Sequence, residues 1–440
     1  MRRYALVPAT LVVISACICP PMLYSQQSGV RDSLRLDDLQ NRAVQQDPRT
    51  RQLNLLSSQS ALRMQDIDAS RLPAISTNAQ AQYQSQVVTL PLQLPNGLSF
   101  PVPPHDTYDA HVGAQQPIYD PTVSARRGVE RAQLAASEAG VRASTFALRQ
   151  NVNDAYFSAL LQQAQRGEQE SAITDLQARR KVAASRVAQG AALPSETEML
   201  DAELLRRRQA VAQLAADRDA SLTVLGDLTG QEITSANVLV LPDLSAAVAR
   251  ARASIDTLHA RPEYEQFARS RDVLAQQQAS LGAADLPRVS AFGRAGYGRP
   301  GLNPLSQEFS NYWLAGVQVE WTPWNWGATK RDREVLALQR EIVATNEAAF
   351  RQSVRRAIAH DAAAIDQLAQ TLVDDDAVVA LREKILRETG FRFSEGVITS
   401  AEYVDRETDL LDARLARVTH RVQLAQAQAN FLTSLGLGVH

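Results

Sequence analysis

The apolar residues of this chain follow two rhythms, and the changes between them divide it. From Trp324 to His440 there is no proline, and residues 328 to 389 contain no glycine either. A helix over that glycine-free run is a rod of roughly 90 Å. Within it Ile358, Ile365, Leu372, Val379 and Leu386 recur every seven residues, the spacing of a coiled-coil seam. A second proline-free run covers 122–189, where Val152, Tyr156 and Leu160 fall on one face of a helix. The matching long helices are expected over 122–189 and 328–395, each roughly 100 Å. Each reaches a turn carrying Gly190 or Gly396, and a shorter helix returns, over 195–225 and 400–435. Leu225-Gly226 and Leu435-Gly436 read as the C-terminal caps of these returns.

Elsewhere the period is two. Ile75, Thr77, Ala79, Ala81 and Tyr83 alternate with Ser76, Asn78, Gln80, Gln82 and Gln84, and Val289, Ala291, Gly293, Ala295 and Tyr297 alternate in the same way. Return strands carry Tyr108, Ala110, Val112 and Ala114, then Trp313, Ala315, Val317, Val319 and Trp321. Strand pairs are expected at 74–86 with 107–119 and at 288–298 with 311–322. Apolar-out, polar-in alternation over about ten residues is the mark of an outer-membrane strand. Tyr119, Trp321, Trp324 and Trp326 cluster where the strands end, as an interfacial aromatic belt does. Two ordinary half-buried hairpins on a soluble domain are the plainer alternative.

The elements come in two copies. Pro48 and Pro73 bracket a short helix in the first, and Pro262 and Pro287 bracket one in the second. The chain therefore divides into 1–25, 26–236 as a first repeat, 237–257 as a linker, and 258–440 as a second repeat. In each copy a short helix plus a return helix nearly equals one long helix. Two stacked short helices beside each long one make four columns per chain. Four strands cannot close a barrel, and edge groups facing hydrocarbon cost several kcal/mol each, so closure requires other subunits.

Composition narrows the class. Aromatic residues are 5% of the chain and the net charge is -2, which gives no electrostatic reason to expect nucleic acid. Arg2 and Arg3 precede an apolar run from Ala5 to Ile18 that Pro20 and Pro21 end, the form of an export signal cut near Ser25. Ile14-Ser15-Ala16-Cys17 also fits a lipobox, which makes Cys17 a candidate lipidation site. The only cysteines are Cys17 and Cys19, so neither a disulfide nor a cysteine metal site is expected in the mature chain. His105 and His111 are the only close histidine pair. Asp374-Asp375-Asp376 reads as a solvated face, and His360-Asp361 has no serine or cysteine nucleophile spaced to use it. No enzyme and no cofactor are expected.

With these elements in order, the chain resembles the TolC family of outer-membrane efflux and secretion channels from about Leu36 to Gly436. The resemblance rests on the paired repeats, Ala260-Arg261-Pro262-Glu263, Leu72-Pro73-Ala74-Ile75, Gly327 after the fourth strand, and both helical hairpins. Arg392-Phe393-Ser394-Glu395-Gly396-Val397-Ile398-Thr399-Ser400 is similar to the family's Tyr/Phe-x-x-Gly-x-x-(Ser/Thr) turn. It implies a mainly α fold with a membrane β-barrel part: a homotrimer with a 12-stranded barrel and a 12-helix periplasmic tunnel. It also implies outer-membrane lipid, a periplasmic adaptor (membrane fusion) protein and an inner-membrane pump of RND, ABC or MFS type as partners. Gly190 and Gly396 then fall at the adaptor-docking turns, and Glu402 and Asp405 at a gate ring, with Arg406 following. In the first hairpin Glu198 and Asp201 occupy similar places. A helix turn alone also explains the glycines, and a solvated helix face the acids. A structural periplasmic coiled coil or surface adhesin is the alternative function. A general porin fits less well, because helices dominate.

Overall fold

The computed structural model describes residues 33–89, 102–253 and 260–438. The expected export signal, Cys17 and most of the first apolar loop lie outside these residues. In chain order come β1 (Ser33–Leu34), α1 (Leu36–Gln46), α2 (Thr50–Ala69), β2 (Ala74–Tyr83), β3 (Asp106–Tyr119), α3 (Thr122–Phe146), α4 (Leu148–Ala188) and α5 (Ser195–Thr229). There follow β4 (Val238–Leu239), α6 (Ser245–Ala253), α7 (Pro262–Ala284), β5 (Arg288–Arg299), β6 (Ser310–Glu320), α8 (Ala328–Ser394) and α9 (Ser400–Ser434).

The four long strands form one antiparallel sheet in the order β2-β3-β5-β6, so the β3–β5 pair joins the two copies. Opposed residues in such a sheet share a face. One row runs Thr77–Val112–Ala295–Trp313 across all four strands, and the next runs Asn78–His111–Gly296–Tyr312. The first face is apolar and open: Ile75, Val112, Trp313, Val317 and Val319 are all exposed. The second carries Ser76, Asn78, Gln80, Asp109, His111, Arg294 and Tyr312, with Phe292 lying over Gly316. Pro117 has no N–H to donate, and the register shifts between Pro117 and Tyr119.

The helices stand below the sheet in four columns. α2 packs on α3, α3 on α7 and α7 on α8, while farther along α5 packs on α4, α4 on α9 and α9 on α8. The short helices are stacked end to end. Gly230, after α5, touches Gln46 at the end of α1, and Gly436, after α9, abuts Ala260 and Arg261 at the start of α7. The heptad residues of α8 face inward: Ile365 and Val379 are buried, and Ile358 and Leu386 pack against buried clusters. The main core lies at mid-height and gathers Leu36, Val152, Tyr156, Leu225, Leu239, Val248 and Phe431. Tyr156 pins the linker there, its hydroxyl meeting the Leu34 and Val240 carbonyls. Buried Arg218 donates to the Ser235 and Asn237 carbonyls and to Gln163.

Two local expectations are corrected. The rod expected over 122–189 is two helices, because the ladder breaks at Ala147. Ser144 and Thr145 turn their hydroxyls back onto the Val141 carbonyl. Arg49 Nη1 takes the Ser144 carbonyl at 3.1 Å, the acceptor that the Leu148 N–H needs. Side-chain competition for carbonyls is a recognised source of kinks. Gly226 is not a cap: α5 runs on to Thr229 and Gly230 takes the left-handed position at φ 62°. A side chain at 226 would meet the Gln231 carbonyl at 2.9 Å, so glycine there lets the chain fold back over its own helix.

Candidate functional site

The two hairpin turns lie side by side at the end of the molecule farthest from the sheet. Their backbone chemistry is the same. Gly190 has φ 71° and Gly396 φ 76°. Ala191 N–H donates to the Arg186 carbonyl at 2.8 Å and Val397 N–H to the Arg392 carbonyl at 2.9 Å. These are Schellman closures, which need a residue free to adopt positive φ. The second turn is also capped: Thr399 Oγ1 accepts from the Glu402 N–H at 3.3 Å.

Side chains lock the turns together. Glu196, in the first turn of α5, accepts from the Ser400 N–H at 2.5 Å, so one hairpin caps the helix of the other. Arg186 Nη1 donates to the Phe393 carbonyl at 3.0 Å. Tyr403 is fully buried against Phe393, donates to Asp175 Oδ2 at 2.5 Å and accepts from Arg179 Nε at 3.0 Å. Burial and the Asp175 carboxylate both raise the pKa of the Tyr403 phenol, so it stays a donor.

Deeper lies an ionic knot. Arg207 of α5 meets Glu407 of α9 at 2.5 Å, and both residues are buried. Arg207 also donates to Thr408 Oγ1 at 3.1 Å. Its Nε is 2.8 Å from Glu203 Oε1 but is not aligned for a hydrogen bond, and its Nη1 has no partner. Burial pushes the Glu407 carboxyl up to about 7; Arg207 opposes the push, and Asp175 and Glu203 add to it.

The candidate gate acids sit outside this knot. Glu402 and Asp405 are exposed on the first turns of α9, and neither side chain forms an ion pair among the described residues. Arg406 does not neutralise them; it turns to Asp409 at 3.2 Å. Asp201 in the first hairpin is already paired with Arg180 at 2.5 Å, while Glu198 is exposed, so the first hairpin does not repeat the pair of free acids. The triple-aspartate run is not simply a solvated face. Asp375 pairs with His420 at 2.7 Å and Asp376 with Arg417 at 3.5 Å, and these contacts stitch α8 to α9. The two histidines considered as a pair are separated in use: His105 meets the Gln84 carbonyl and His111 meets Asp109 at 2.6 Å.

The buried knot is absent from the sequence expectations above, although a signal exists. Leu200, Leu204 and Arg207 follow the four-three spacing of a buried stripe, as do Tyr403, Glu407 and Leu410. A charge on such a stripe needs a buried partner.

No protein-family model matches the sequence, and no curated protein matches it. Solved structures do. The chain is similar to CusC, described for its transmembrane channel formation, at 16% identity and TM-score 0.67, over 95% of this chain and 96% of that one. It is similar to the outer membrane protein VceC of Vibrio cholerae at 15% identity and TM-score 0.64, over 92% and 97%. It is also similar to the MtrE outer membrane channel of Neisseria gonorrhoeae in its open state, at 19% identity and TM-score 0.63, over 92% and 89%. The chain therefore has the fold of these solved outer-membrane proteins.

Proposed function

We propose that the protein is the exit duct of an efflux or secretion machine, closed from three copies in the outer membrane and reaching through the periplasm. One observation carries the reading. The sheet presents a mostly apolar, exposed face while its edge strands β2 and β6 have no outer partner among the described residues. Such edges are tolerable in lipid only if other copies close the barrel. Three chains make a 12-stranded wall, wide enough for an aqueous passage. The helical columns have matching needs: Val335, Leu338 and Ile342 form an exposed stripe on α8, and Leu55 and Leu62 are exposed at the same height on α2 at the opposite edge. Head-to-tail packing of those edges closes a ring.

The two repeats, 26–236 and 258–440, each supply one strand pair and one hairpin, with 237–257 as the link. At the tips, Gly190 and Gly396 shape the surface offered to a periplasmic adaptor, itself coupled to an inner-membrane pump of the RND, ABC or MFS type. Glu402 and Asp405 from three copies form an acidic ring at the entrance. Planar-bilayer recording of the purified protein tests the proposal. Discrete, long-lived conductance steps are expected, whereas a protein that fractionates with the soluble periplasm and yields no steps is a rod and not a duct.

A further inference from the structure

The two repeats can be compared where a strand hands over to a long helix. In the first, Ile118-Tyr119-Asp120-Pro121 precedes α3; in the second, Trp324-Asn325-Trp326-Gly327 precedes α8. Asp120 serves its helix: Oδ1 accepts from the Thr122 N–H at 2.9 Å and from its hydroxyl at 2.6 Å. Its counterpart, Trp326, cannot. Trp326 instead has φ 54°, the only positive φ outside glycine among the described residues, in a region that bulky side chains rarely enter.

Several contacts hold it there. Arg331 Nη1 donates to the Trp326 carbonyl at 3.0 Å, and Gly327 follows at φ 74°. Asp285 moors the turn, accepting from Thr329 Oγ1 at 2.8 Å and Arg333 Nη2 at 3.2 Å, while its carbonyl accepts from Trp321 Nε1 at 3.1 Å. What this ordered turn achieves is exposure. Trp326 is 81% exposed and stands edge-on to Trp324, itself 71% exposed, with ring centroids 6.0 Å apart. Among the described residues, Lys330, on the first turn of α8, is exposed with no ion pair, and Arg331 pairs with no carboxylate.

We propose that this handover binds the headgroup of an anionic phospholipid in the periplasm-facing leaflet: Trp321, Trp324 and Trp326 lie in the glycerol region, and Lys330 and Arg331 take the phosphate. The inference rests on the membrane reading above. Continuity argues for lipid as the occupant, because the apolar row Trp313, Val317 and Val319 runs straight into Trp321 along one strand face. Charge complementarity argues for an anionic lipid, since the two cations beside the indoles have no carboxylate to satisfy them. Tryptophan favours the interface between hydrocarbon and water, and basic residues next to a membrane attract acidic headgroups.

The test is tryptophan emission of the full-length protein in detergent, titrated with brominated phosphatidylglycerol and, separately, with brominated phosphatidylcholine. Wild type is expected to reach half-quenching at a several-fold lower mole fraction of phosphatidylglycerol. The preference disappears in Lys330→Glu, and also in Trp326→Asp, which installs the residue of the first repeat. Equal quenching of wild type by both lipids, or a preference that survives either substitution, overturns the inference and leaves the membrane reading standing. No quenching by either lipid overturns the membrane reading itself, and the inference with it.

Discussion

Arg207 on α5 and Glu407 on α9 meet at 2.5 Å with both residues buried, so the two hairpins of the tip are joined by an ion pair that water hardly reaches. A buried pair of this kind is weak evidence for stability, because desolvation offsets much of the attraction. Its value lies in fixing how α5 and α9 are placed relative to each other at the tip.

This pair makes the tip sensitive to pH. Burial holds the Glu407 carboxyl at about 7, against 4.5 for an unperturbed glutamate. Between those values the folded chain binds a proton that the unfolded chain has released, so stability present at low pH is lost as pH rises towards 7. Glu407→Gln removes the dependence. Thermal melts from pH 5 to 8 should show the variant gaining on wild type by about 1–3 kcal/mol across that range. A gap that stays constant with pH contradicts the raised carboxyl.

The free acids of α9 predict a different effect. Like charges gathered at a narrow entrance select cations, as acidic rings do in other pores. Glu402→Gln with Asp405→Asn should lower cation selectivity and weaken block by divalent cations in single-channel recordings. If conductance, selectivity and block are all unchanged, the two residues are only a solvated helix face.

The glycines separate turn chemistry from docking. A side chain at Gly190 meets nothing within 4 Å, whereas one at Gly396 runs into the Arg186 guanidinium. Alanine at either position costs about 1–2 kcal/mol through positive φ alone. Gly396→Ala should cost more, because it displaces the arginine that holds the Phe393 carbonyl. Equal losses of melting stability at both sites contradict this packing account.

The alternation of the sheet sets a contrast between its faces. Val112 lies on the apolar face and Gln115 on the other, where it donates to Ser290 Oγ at 3.2 Å. Val112→Arg should cost about 2–4 kcal/mol near mid-bilayer and reduce assembled outer-membrane protein. Gln115→Arg should be tolerated. Equal tolerance at both positions voids the assignment of faces.

Much of this fold is legible in the sequence because it is repetitive. Ile75 through Tyr83 and Trp313 through Trp321 alternate for most of their length, and period two admits a single reading once one face is apolar. The heptads of α8 are equally plain. What the sequence hides depends on residues far apart in it. The break at Ala147 needs Arg49, which reaches the Ser144 carbonyl 95 positions away, and the tip knot needs Arg207 and Glu407, 200 apart. The turn glycines are readable, yet whether Gly226 or Gly230 ends α5 is decided by the Gln231 carbonyl folding back. At the tip, local spacing finds Glu402 and Asp405 but does not reveal that Arg406 turns away to Asp409.

The central claim is that the open edges of β2 and β6 are closed by other copies of the chain. Mass measurement of the detergent-extracted outer-membrane particle tests it most directly, for instance by light scattering corrected for bound detergent. The account predicts a single species of three chains that persists on dilution. A monodisperse monomer would leave both sheet edges bare in the membrane and would contradict it.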